Sequence, residues 1–193
     1  MFPINTSMRL REFDAKGVHK TIIEHCQPFL KMIDNRIEDY IMWRGMNESK
    51  QIIRKSVRLD DRKPESTAQD KHEKLNTYFI ETFGEPFRNS VHVTGSSPQA
   101  YAYGELYAIF PIGNFRFVWS PKVNDIAISI RWPQPGGWSN FPPSQEMVNK
   151  IMDKQKYSDR DLPQAIKSGN EIMIRCDEYY AVHPDTLEDA LDI

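Results

Sequence analysis

From Ser90 to Trp132 the chain is cut into short pieces, and this limits its possible folds more than any other feature. Ser90-Val91-His92-Val93-Thr94 carries β-branched residues in alternation and reads as a strand. Gly95-Ser96 turns the chain. Ser97-Pro98 then predicts a helix N-cap followed by Pro in the first turn, for a short helix over 98–103 ended by Gly104. Strands are expected at 106–110, 115–119 and 126–132, with Pro111, Gly113-Asn114 and Pro121 as punctuation.

The first third has a different period. From Val18 the apolar residues Ile22, Ile23, Cys26, Phe29, Leu30, Ile33 and Ile37 recur at three and four, which predicts helices over 17–26 and 28–39 divided at Pro28. Tyr40-Ile41-Met42-Trp43 has no polar face and reads as a short buried strand stopped by Arg44-Gly45. Residues 46–69 are polar and charged and read as a long loop. A helix is expected over 70–83, with Gly84 as its stop. Gln134-Pro135-Gly136-Gly137 reads as a loop, 144–155 and 158–168 as helices, and Asp185 as the cap of a final one. Glu171–Arg175 and Glu178–Val182 read as a closing hairpin.

Helices, strands and helices in this order do not alternate as in a doubly wound fold. The expectation is an α+β fold with an antiparallel or mixed sheet. With 193 residues, a single domain is expected, its first 39 positions helical and its core over 40–183. Twenty-five Lys and Arg against 27 Asp and Glu leave a net charge of −2, which argues against wholesale polyanion binding but permits a local basic patch. No run approaches the ~18 apolar residues of a membrane span, so no membrane partner is expected. Met1 to Lys20 has no apolar core ahead of a small-residue cleavage site, so no secretory signal is expected. Two cysteines 150 positions apart and scattered histidines predict free thiols, no metal site and a cytoplasmic setting, in a host cell if the protein is injected or virus-encoded. No oligomerisation signal is legible. Neither GxGxxG nor a P-loop is present.

Three polar positions stand where apolar strands begin or end: Arg44-Gly45, Thr94-Gly95-Ser96 and Gly169-Asn170-Glu171. Each alone has a plain reading as a surface arginine, a turn hydroxyl and a solvated strand starter. In this order they resemble the Arg–Ser–Glu class of the ADP-ribosyltransferase family. The resemblance extends through Ala100-Tyr101-Ala102-Tyr103-Gly104, Leu106-Tyr107-Ala108-Ile109-Phe110-Pro111-Ile112-Gly113, Ser120-Pro121, Asp125 and the 171–182 segment. It is similar to small bacterial and phage-like members and covers roughly 40–183.

The resemblance implies an NAD cleft. Arg44, Gly45, Thr94, Ser96 and Tyr103 would bind NAD as co-substrate, and Arg44, Thr94 and Glu171 would carry catalysis. The residue types suit that chemistry. A guanidinium can grip a pyrophosphate bidentately. A carboxylate beside the ribose stabilises an oxocarbenium-like cation. A hydroxyl, Thr94 or Ser96, would hold the carboxylate in place, and Tyr103 or Tyr101 would stack on nicotinamide. Members that modify arginine carry Glu or Gln two positions before the catalytic Glu, where this chain has Gly169. The acceptor, a protein, a nucleic acid or a small molecule, is left open. The alternatives are a non-catalytic binding or structural protein on the same fold and an NAD-using RNA 2′-phosphotransferase. Arg58, Arg62 and Lys63 in the long loop read either as solvated charge or as a flap over a phosphate or nucleic acid.

Overall fold

The computed structural model describes residues 15–60, 68–130 and 143–191. Along the chain come α1 (Ala15–His25), α2 (Gln27–Met32), β1 (Trp43–Met46), β2 (Ile52–Ser56), α3 (Gln69–Phe83), a 3₁₀ turn (Phe87–Asn89), β3 (Val91–Thr94) and α4 (Ser97–Tyr101). They are followed by β4 (Glu105–Ile112), β5 (Arg116–Trp119), α5 (Ile126–Ser129), α6 (Gln145–Asp153), α7 (Leu162–Ser168), β6 (Glu171–Arg175), β7 (Glu178–Val182) and α8 (Pro184–Leu191). The class is α+β. Seven strands form one sheet in the order β2-β7-β4-β1-β3-β6-β5, and every neighbouring pair is antiparallel.

This order corrects the expected hairpin. β6 pairs with β3 and β5, whereas β7 pairs with β4 and β2. Three strands lie between them, yet only Cys176-Asp177 joins them in the chain. Four strand spacings of about 4.8 Å make roughly 19 Å across a flat sheet. Three steps of about 3.8 Å between successive Cα atoms cannot reach that far. The sheet must therefore be bent, and the bend falls where pairing is thinnest. β1 and β3 share one register pair, Trp43 with Thr94. On one side of this joint is a short leaf, β5-β6-β3; on the other is a long leaf, β1-β4-β7-β2.

The larger core cluster draws on both leaves: Val91, Val93, Ile172 and Ile174 from the short one, Met46, Tyr107, Phe110 and Tyr180 from the long one. Both cysteines, Cys26 and Cys176, are free thiols buried in it. A smaller cluster sets Leu75 and Phe79 of α3 and Val148 and Met152 of α6 against Val118 and Met173 of the short leaf. Side chains alternate along a strand. Ile172 and Ile174 therefore face the larger cluster, and Glu171 shares with Met173 the face that α3 and α6 cover.

Several boundaries differ from the expectation. The second helix stops at Met32 rather than at 39, because Asp34 and Asn35 adopt left-handed backbone with φ of 53° and 58°. Asn and Asp tolerate that region better than other side chains. Ile33 and Ile37 are nevertheless buried, which is why the apolar spacing runs on past the helix. The first strand begins at Trp43 and carries Arg44-Gly45 in its middle, paired with Tyr107 and Leu106. The expected loop contains β2, whose Ile52-Ile53 pairs with Val182 and Ala181; residues 61–67 of that loop, with Arg62 and Lys63, lie outside the described residues. The expected strand at 126–132 is instead α5, begun by Asp125, whose carboxylate accepts from the backbone N–H groups of Ala127 and Ile128; residues 131 and 132 lie outside the described residues, as does the 134–137 loop. Ser96, one position earlier than expected, caps α4. No helix among the described residues is long and apolar enough to cross a membrane.

Candidate functional site at the sheet joint

The register across the joint runs Trp43, Thr94, Glu171 over β1, β3 and β6. Arg44 is the next residue along β1. Three positions separated by 50 and 77 residues in sequence are thus neighbours on three adjacent strands.

Thr94 is buried, and its hydroxyl donates to the carbonyl of Gly169 at 2.5 Å. The same oxygen accepts from the Ser96 N–H at 3.0 Å. Gly169 sits in the left-handed region, φ 69°, as the stop of α7. Thr94 therefore anchors the turn that launches Glu171. Ser96 spends its hydroxyl on the Gln99 N–H at 3.4 Å. Both hydroxyls fix backbone around the glutamate rather than its carboxylate.

Glu171 is 8% exposed. Oε2 accepts from the Ile126 N–H at 2.6 Å, and Oε1 meets Nδ1 of the His92 ring. Arg88 brings Nη1 to 3.7 Å of Oε1. Burial alone would push this carboxyl up. His92 first, then Arg88 and the Ile126 N–H, outweigh it and hold the group at about 2. An ionised Glu171 accepts, so Nδ1 of His92 is the donor.

Arg44 is half-buried and donates from Nη1 to the His92 carbonyl at 2.9 Å. It does not face Glu171 across open space; the two are joined through His92. Gly45 is covered by α4: a Cβ there would stand 2.2 Å from the Ala100 carbonyl oxygen and 2.7 Å from the Tyr103 carbonyl carbon. Its lack of a side chain lets α4 lie on β1, and the helix occupies the space over it. Tyr103, 58% exposed, donates its hydroxyl to Asp125 Oδ2 at 2.5 Å. That hydrogen bond, with burial and the charges of Asp125 and Glu171, pushes the phenol up to about 12. Gln99 Nε2 donates to the Asn124 carbonyl at 2.9 Å. These two bonds clasp α4 and the turn that follows it to the segment that covers the carboxylate.

Sequence reasoning missed His92 and Arg88. His92 had a signal, since it stands two positions before Thr94 in an alternating strand and so shares its face. Arg88, in the 3₁₀ turn, had none. Among the described residues no group of three or more His, Cys, Asp or Glu is arranged to hold a metal ion. Comparison with known proteins finds no family model, no curated protein and no solved structure that matches this chain.

Proposed function

We propose that the protein transfers ADP-ribose from NAD to an acceptor on an ADP-ribosyltransferase-like fold. The observation that carries this reading is the convergence of Arg44, Thr94 and Glu171 on three adjacent strands at the joint. Arg44 supplies a guanidinium for the pyrophosphate, and the exposed ring of Tyr103 offers a stacking face. As the bond from ribose to nicotinamide breaks, the electron pair leaves with nicotinamide and the ribose becomes cationic. Glu171, ionised and fixed, is a preorganised negative charge for that cation. The acceptor then adds through its nucleophilic atom and loses a proton to solvent. Access to Glu171 requires the clasp between α4 and the 124–126 segment to open.

A second reading, a binding protein without turnover, is favoured by one specific observation. Both carboxylate oxygens of Glu171 are already engaged by His92 and the Ile126 N–H. Incubation with nicotinamide-labelled NAD, with and without cell lysate, separates the two. Release of nicotinamide supports transfer. Binding of NAD by calorimetry with no release supports the second reading, and neither binding nor release overturns both. Arg44→Ala should weaken NAD binding by up to about 3 kcal/mol, the range for losing a charge-assisted hydrogen bond.

A further inference from the structure

Arg88, Glu171 and His92 form a buried cluster of ionisable groups, their side chains 6%, 10% and 16% exposed. Taking such groups out of water is costly, and a well-packed apolar set of similar volume is often at least as stable. Stability alone gives little reason to keep the cluster; its place in the strand gives another. The His92 carbonyl lies in the plane of the sheet and accepts from Arg44 of β1. Its ring stands out of that plane and meets Glu171 of β6. One residue of β3 therefore addresses both neighbouring strands.

We propose that His92 is a positioning residue of the NAD site, its ring holding the Glu171 carboxylate in one orientation while its carbonyl sets the Arg44 guanidinium. The inference rests on the NAD reading. With Ile126 N–H on Oε2 and His92 on Oε1, the carboxylate is held at both oxygens and cannot rotate. Arg88, at 3.7 Å, adds charge without a hydrogen bond's direction. The separation between the cation for pyrophosphate and the carboxylate for ribose is then set by one backbone unit, so a displacement of β3 moves both together. The other titratable groups that interact electrostatically with this cluster are Lys71 of α3, Tyr103 beyond α4 and Tyr157 beyond α6, and Asp125 ahead of α5 bonds Tyr103.

The test pairs His92→Ala with His92→Asn. The Asn side-chain amide can place an N–H near the position of Nδ1 but does not titrate. Nicotinamide release is measured against NAD concentration and pH, and the Glu171 carboxyl is followed by carbon-13 NMR. His92→Ala should lower kcat by about 10²-fold, the scale for a misplaced reacting group, with KM for NAD within about threefold. The acid limb of kcat should move up by about one pH unit or more. His92→Asn should recover most of kcat. Equal kcat in His92→Ala and wild type overturns the proposal. So does a loss in both variants that simply follows their melting temperatures. If wild type releases no nicotinamide, the transfer reading fails, and the Glu171 resonance decides the rest. A carboxyl that protonates only below the ordinary range in wild type, but within or above it in His92→Ala, keeps His92 as the group that holds Glu171. Identical titration in both removes that role.

Discussion

Glu171 keeps its charge in a place where burial alone would remove it. Its carboxyl is lowered in the folded protein from the ordinary 4.5 to about 2. A lowered carboxyl stabilises the fold fully above its unfolded value and loses that contribution as pH falls through the folded one. The window therefore runs from about pH 4.5 down to about 2. Glu171→Gln should cost about 3 kcal/mol at neutral pH and flatten the acid limb of the stability curve over this window, measured by urea unfolding at stepped pH. At a temperature where the variant is folded, turnover should fall by about 10²–10⁴-fold with NAD affinity within a few fold, because only the transition state needs the charge. Glu178→Gln is the control and should change turnover little: Glu178 lies on the far leaf, paired with Arg54. Arg44, Thr94 and Glu171 were legible because each stands beside a short apolar or β-branched run. Strand alternation puts His92 on the face of Thr94, but it meets Glu171 across 79 residues of sequence, and no local pattern encodes that contact.

The elements around the site depend on close backbone approach. α4 lies on β1 only because Gly45 has no side chain. Gly45→Ala should lower stability by about 1–3 kcal/mol, the usual range for forcing an extra carbon into packed structure, and urea unfolding measures it. If Gly45→Ala is as stable as wild type, the helix is not seated as described. Helix α3 and its Gly84 stop were readable because the apolar spacing and the left-handed cap agree, with φ 80° at Gly84. Ile126-Ala127-Ile128 was misread because β-branched residues favour strands, whereas the side chain of Asp125 satisfies two N–H groups and starts a helix. The displaced β1 had a similar cause. A glycine ordinarily weakens a strand and so looks like its end, but here a neighbouring helix requires it.

At the scale of the whole molecule, strand order was the least legible property. A two-residue link between two β runs is the ordinary sign of a hairpin. Yet Cys176-Asp177 lacks the glycine or Asn-Gly that such turns favour, and neither residue has positive φ. That local chemistry already argued against the hairpin. Because the bent sheet closes both leaves on the larger core cluster, neither leaf can keep that shared interior when the other opens. Cys26 and Cys176 lie in that shared interior, and burial pushes both thiols up to about 12, so almost no thiolate exists at neutral pH. The two sulfurs should therefore be nearly silent toward iodoacetamide until the molecule opens as a unit. Alkylation followed by mass spectrometry should show both cysteines labelled together, at a rate that rises with urea as the unfolded fraction does. Rapid labelling of Cys176 alone would mean that the link between the leaves opens independently of the rest. The chain thus carries its own clock: two reporters, 150 positions apart, that count each excursion out of the folded state without an added dye or tag.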